Sequence, residues 1–328
     1  MAQRILERGQ IETLASREIP RIFLADASRR FAPRAARLRA LAPGNPIGGY
    51  LQLVADLADA QQALLDDMPA PLRERLQAAA RGQHAQAAAE AGMPPLRAAS
   101  LQRDPCWRTL LRELPTACAA LPATPGPVRG TLARLAAAPD AWLEAQADAL
   151  LDAPGARDPV DAAGAPFVMA ALQVYWAALG LAFAPDELAP MPDAPGLCPL
   201  CGTPPVASVV HASGPGQNYR YLACALCGCQ WHYVRVQCSR CGTAGKDIAY
   251  QSLARADDDD GDAAKDNAVR AETCEHCHGY RKILYAEKDP AVEPFADDLG
   301  TLALDLLLGE QGYERASQNP MLWQASDG

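Results

Sequence analysis

The stretch CALCGCQWHYVRVQCSRCG, residues 224–242, packs five cysteines into nineteen residues. Cys224 and Cys227 are spaced C-x2-C, as are Cys238 and Cys241, while Cys229 belongs to neither pair. The same spacing recurs at Cys198/Cys201 and Cys274/Cys277, so eight of the eleven cysteines form four pairs. In such a knuckle both thiolates of a tight turn face one metal ion, and backbone N–H groups of the turn donate to the sulfurs. Gly202, Gly228 and Gly242 directly follow three pairs, where the chain leaves the turn with positive φ, and Gly279 stands one residue later in the fourth. Two knuckles complete one tetrahedral site, so four knuckles make two. Sequential pairing joins Cys198, Cys201, Cys224 and Cys227 in one site and Cys238, Cys241, Cys274 and Cys277 in the other. The intervening 22 and 32 residues each suit a β-hairpin, although spacing alone also allows interleaved pairs. Four thiolates accept zinc or iron equally well on chemical grounds. A thioredoxin-like redox pair would need a βαβ setting, which this segment lacks.

At 328 residues and 49% apolar content the chain is long enough for two domains with a sizeable core. The net charge of −9 is uneven. Residues 1–190 carry 19 arginines, no lysine and 20 acids, whereas residues 191–328 carry 11 basic residues against 19 acids. That balance argues against nucleic acid as a partner, because such binding rests on neutralising phosphates. No run approaches the ~20 apolar residues of a membrane span. The twin arginines Arg29 and Arg30 are followed by Arg34, Arg37 and Arg39 rather than by an apolar export segment. Glu7, Glu12, Glu18 and Asp26 interrupt any transit peptide. Cysteine-rich chains without an export signal belong in a reducing compartment, so the expected location is the cytoplasm.

The expected fold class is α+β. An α-helical domain spans residues 1–190, and a metal-binding domain spans 191–328. The latter holds two small β-rich, rubredoxin-like or zinc-ribbon-like modules (about 196–236 and 237–290) and one C-terminal helix (about 293–311). In residues 45–69, Leu51, Val54, Leu57, Ala58, Gln61 and Leu65 fall on one helical face. Residues 167–183 are apolar almost all round, as in a buried central helix. Five prolines in 184–202 mark the boundary. Beyond it PVASVVHAS, YRYLAC, WHYVRVQC and IAYQSL read as short strands, and 230–237 as the strand linking the modules. The acidic run 254–269 reads as a solvated loop; a calcium loop begun at Asp257 would need Glu at position 268, which is Ala.

The remaining cysteines and histidines have plain expectations. Cys106 and Cys118 lie on helical stretches as small buried hydrophobes. His276 and His278 flank Cys277, but that site already has four sulfurs. Trp231 packs behind the metal, and Cys229 is a spare thiol beside the first knuckle. No Ser/His/Asp set, P-loop or GxGxxG in a strand–helix context is present, so the chain is not expected to be an enzyme.

CPLCGTPP, YLACALCGCQWHYVRVQCSRCG, AETCEHCHGYRKILY, FADDLGTLALDLLLGEQGY and, in the first half, NPIGGYLQLVADLADAQQALL together resemble the FdhE family of formate dehydrogenase accessory proteins. The distinctive element is the W-H-x-x-R step at Trp231, His232 and Arg235. The resemblance implies a helical domain joined to two rubredoxin-like modules, the eight knuckle cysteines as ligands of two metal ions, self-association, and binding to the catalytic subunit of formate dehydrogenase during its maturation. The iron of such modules can be redox-active. On that reading Trp231, His232, Tyr233, Arg235 and Tyr280 are the candidates for the partner surface. Two alternatives compete: a zinc ribbon that binds nucleic acid through Arg220, Arg235, Arg240, Arg281 and Lys282, and a soluble rubredoxin-like electron carrier.

Overall fold

The computed structural model describes residues 19–119, 126–191, 193–253 and 267–322. The acidic run expected as a loop falls largely on residues 254–266 and so lies outside them, as does the side chain of Cys118. The helical part comprises α1 (Ala32–Leu41), α2 (Gly48–Asp66), α3 (Ala70–Ala80), α4 (Gln83–Glu90), α5 (Cys106–Ala119), α6 (Gly126–Ala137), α7 (Asp140–Leu150) and α8 (Ala165–Gly180). The six face residues expected between 51 and 65 are all buried in α2. Helix α8 is buried from Phe167 to Leu179, because α2, α3, α5 and α7 all pack against it. Its polar groups are matched, as burial requires: Gln173 Oε1 accepts from Gln61 at 2.8 Å, and Trp176 Nε1 donates to the Leu96 carbonyl at 3.0 Å.

Among the described residues eight strands form one sheet: β1 (Ile22–Phe23), β2 (Pro205–Val210), β3 (Arg220–Cys224), β4 (Gln230–His232), β5 (Ile248–Gln251), β6 (Val269–Cys274), β7 (Gly279–Tyr285) and β8 (Glu314–Arg315). The chain builds the same unit twice. Each unit is a knuckle, a hairpin ending in a second knuckle, and a third antiparallel strand: β2–β3–β4, then β5–β6–β7. The units merge because β2 and β7 pair in parallel, Ser208 opposite Ile283 and Val210 opposite Tyr285. At one edge β1, from the N-terminal half, caps β4 with Ile22 opposite Trp231. The other edge is β5.

Two element expectations need correcting. The strand expected over 230–237 stops at His232. The Tyr233 N–H still donates to the Arg220 carbonyl, but the Arg220 guanidinium then takes the carbonyls of Val234 and Gln237, and Val236 turns at φ 57°. The single C-terminal helix is instead two, α9 (Pro294–Gly300) and α10 (Leu302–Glu310). They part at Thr301, where buried Lys282 donates to the carbonyls of Asp298 (2.6 Å) and Thr301 (3.2 Å) and pairs with Asp305 (2.6 Å). Lysine is buried only when paired in this way. No helix among the described residues is long and apolar enough to cross a membrane.

Candidate metal centres

Both quartets assemble in the sequential arrangement. Cys198, Cys201, Cys224 and Cys227 bring their sulfurs within 4.8 Å of one another, and so do Cys238, Cys241, Cys274 and Cys277. None of the eight is joined in a disulfide. The nearest cross-knuckle Sγ–Sγ separations are 3.5 and 3.4 Å in the first quartet and 3.7 Å twice in the second. A tetrahedron with metal–sulfur bonds of about 2.3 Å has edges of about 3.8 Å, so each quartet could hold one zinc or iron ion.

The turns follow a shared plan. Cys198 N–H donates to the Thr203 carbonyl (3.0 Å) and Gly202 N–H to the Cys198 carbonyl (2.8 Å); Cys238, Thr243 and Gly242 repeat this at 2.8 and 3.0 Å. Amides also point at sulfur, Cys227 N–H at Cys224 Sγ and Arg240 N–H at Cys238 Sγ, both 3.4 Å. Gly202, Gly228 and Gly242 leave their turns at φ 75–80°. In the fourth knuckle His278 takes that strained place at φ 50°. Gly279 is crowded rather than strained: a Cβ there would sit 2.9 Å from Arg240 Cδ and 3.2 Å from Cys277 Sγ.

Their surroundings differ. The first quartet is 0–4% exposed and belongs to the main apolar core. The helical part clamps its knuckles, with Leu96 and Ala98 N–H donating to the carbonyls of Leu200 and Cys201, at 2.9 and 2.8 Å. Gln173 of α8 donates to the Ala225 carbonyl at 2.8 Å, and Arg30 reaches the same oxygen at 3.4 Å. Arg30 lies so close over Gly228 that any Cβ there would collide with it. The second quartet has Cys241 exposed and Cys277 partly so. Its cluster holds only Cys238, Ile248 and Cys274, with Cys277 against them.

Within each quartet the thiols are shifted in both directions. Burial pushes Cys198 and Cys227 well above the ordinary thiol value. Burial also acts upward on Cys224, but hydrogen bonds from the other three sulfurs and from Thr203 outweigh it and hold that thiol well below. At Cys241 burial acts upward and is the largest single effect, but hydrogen bonds with Thr243 and with the Cys277 and Cys238 sulfurs together outweigh it and hold the thiol down at about 6, whereas burial pushes Cys277 up to about 12.

Trp231 is fully buried, its indole donating to the Pro195 carbonyl at 2.9 Å. Tyr233 (to the Cys238 carbonyl, 3.1 Å) and Tyr280 (to Asp305, 2.6 Å) are buried too. His232 is half-buried against Tyr219 and Tyr221. Arg235 is exposed, between Val234 (56%) and Val236 (41%). Buried side chains cannot reach a partner without opening the sheet, which leaves Arg235, with part of His232, as the accessible members of that set. His276 and His278 are exposed and outside the quartets, and Cys106 is buried. Cys229 is buried beside the first quartet, outside its ligand set.

The cationic patch required by nucleic-acid binding does not form. Arg220 is fully buried against Glu272 at 2.8 Å, Arg281 is buried against Pro205, Ser239 and Ser317, and Lys282 lies in its acidic nest. Only Arg235 and Arg240 are exposed, and Arg240 pairs with Glu314. The sequence reading missed β1, Arg30, Gln173 and the 96–98 segment as supports of the first quartet. Gln173, a lone amide on an otherwise apolar helix, is the one signal that was visible.

Two four-cysteine knuckle modules fused into one sheet, one of them sunk into a helical body, define the class of protein. Family models cover that whole architecture: "FdhE, N-terminal" matches residues 19–193, "FdhE, central domain" 197–235 and "FdhE, C-terminal domain" 236–322. The chain is 42% identical to the Protein FdhE homolog of Pseudomonas aeruginosa, with 98% of each chain covered. It is 38% identical to Protein FdhE of Salmonella arizonae, with 97% of this chain and 96% of that one covered. The crystal structure of the FdhE protein from Pseudomonas aeruginosa superposes with a TM-score of 0.77 at 38% identity, over 92% of this chain and 99% of that one. The chain belongs to the FdhE family.

Proposed function

We propose that this protein is a non-enzymatic accessory factor that binds the catalytic subunit of formate dehydrogenase in the cytoplasm during its maturation. The observation that carries this reading is family membership over nearly the full length with both cysteine quartets assembled. Each quartet holds one ion, with the eight knuckle cysteines as ligands. Iron bound in this way would supply an Fe(III)/Fe(II) couple; zinc would supply shape alone. Visible absorption with elemental analysis of anaerobically purified protein separates the two, since zinc gives no charge-transfer bands. Self-association belongs to the same proposal and is checked by sedimentation.

The partner surface includes Arg235, the exposed cation of the inter-module turn. The test is co-purification of the tagged full chain from cells making formate dehydrogenase. Capture of the catalytic subunit supports the proposal; no enrichment over an untagged control contradicts it. Arg235→Ala should reduce capture several-fold with metal content unchanged and stability within about 0.5 kcal/mol, as for an exposed residue. Undiminished capture removes Arg235 from the surface.

A further inference from the structure

The two quartets share one turn plan but not one environment, and the difference has a direction. In the first, all four sulfurs are buried in the main core and the knuckle carbonyls are held by the 96–98 segment and α8. An incoming ligand reaches those sulfurs only by parting the helical body from the sheet. In the second, Cys241 and Cys277 stand at the surface, and the described hydrogen bonds to the 238–242 knuckle come from Tyr233, Gln237, Arg281, Arg240 with Glu314, and the turn itself.

The inter-module turn depends on that exposed knuckle. Val236 is β-branched yet lies at φ 57°, a place such a residue holds only when neighbours enforce it. Three ties do so. Gly245 N–H donates to the Val236 carbonyl at 3.1 Å, Gln237 bridges Ala244 across a short antiparallel pair, and the Gln237 amide donates to the Gly242 carbonyl at 3.0 Å. All three partners lie in 242–245, just after Cys241. Strand β5, which follows, is the sheet edge and pairs on one side only.

We propose that the second quartet is an exchangeable site for a thiophilic divalent ion, and that its occupancy fixes the shape of the Val234–Val236 turn and of β5. The proposal rests on the reading that both quartets bind metal. Cys241 and Cys277 are where a competing ligand gains access. As that ligand takes the ion, the 242–245 loop loses its anchor, and Val236 relaxes from its strained conformation. The first quartet keeps its ion throughout. The accessory protein thereby carries a metal-dependent turn on a body whose fold does not depend on the same ion.

The test uses the full chain as purified, challenged with excess of the chelator 4-(2-pyridylazo)resorcinol. Samples are alkylated with N-ethylmaleimide at timed points and mapped by peptide mass spectrometry. One of two metal equivalents should leave roughly tenfold faster or more, a ratio that local opening supplies. Labelling should appear first at Cys238, Cys241, Cys274 and Cys277, with faster hydrogen exchange confined to residues 233–251. The variant Cys241→Ser should retain one equivalent and a cooperative thermal transition. Equal release of both equivalents, first labelling at Cys198, Cys201, Cys224 or Cys227, or unchanged exchange at 233–251 overturns the proposal. Two ions leaving together would overturn this hierarchy alone; a chain purified without metal would overturn the reading of the quartets with it.

Discussion

The inner and outer quartets carry the same motif, C-x2-C-G-T at Cys198 and again at Cys238, and their turns repeat to within 0.2 Å in hydrogen-bond length. The inner sulfurs are nonetheless part of the main core, while the outer ones lean on Ile248 and each other. A knuckle therefore sets where its sulfurs point. Stability and access are set by what packs around them, which here is chain contributed from more than a hundred residues away at Leu96 and Ala98.

The largest expected effect breaks this comparison at its inner end. Cys201→Ser should cost more than about 5 kcal/mol and leave little folded protein, because a structural metal site carries much of a domain's folding energy. Cys241→Ser should cost within about 3 kcal/mol. Thermal unfolding of the two variants side by side checks the order; equal losses would erase the distinction between the sites.

Next comes the joint between the units. Arg220 on β3 and Glu272 on β6 form a buried ion pair, with Ser208 also holding the guanidinium at 3.1 Å. Removing one partner strands a buried charge, so Glu272→Ala should cost about 3–5 kcal/mol, and Arg220→Met combined with Glu272→Leu should recover only part of that, because the Val234 and Gln237 carbonyls lose their donor. Denaturant unfolding of the single and double variants decides it. A milder outcome is expected for Cys229→Ser, which should leave both ions in place and cost about 1–3 kcal/mol for burying a hydroxyl in a thiol's place. Loss of one metal equivalent would instead make Cys229 a ligand.

The smallest effect is in the pH response. Burial holds His211 below its ordinary value of 6.5, with Gln230 partly opposing at 2.8 Å. The neutral ring is the one the fold accommodates, so its contribution is present above pH 6.5 and lost as pH falls through the folded value. His232, held down by burial and by the nearby Arg21, adds in the same direction. His211→Gln should flatten the stability profile between pH 7 and 5 at constant metal content; an unchanged slope would assign it elsewhere.

Much of the site could be read from the sequence because its information is local. The spacing of eight cysteines and the glycines after them nearly dictates the turns, and sequential pairing joins segments only 22 and 32 residues apart. The face of α2 and the all-round burial of α8 are equally local, since periodicity reports them. What was hidden is long-range. Nothing in YRYLAC says that Arg220 will be sealed against Glu272, or that Lys282 will split the last helix at Thr301. WHYVRVQC has strand propensity throughout, but the Arg220 guanidinium claims two of its carbonyls and ends β4 early. The two-residue β1 was invisible because its register comes from Trp231, not from its own sequence.

The measurement closest to the central claim is metal stoichiometry by elemental analysis of the anaerobically purified full chain. The account predicts two thiolate-bound ions per chain, falling to one in Cys241→Ser. A chain that is folded and carries no stoichiometric metal, its eight knuckle cysteines reacting freely as thiols, would contradict it.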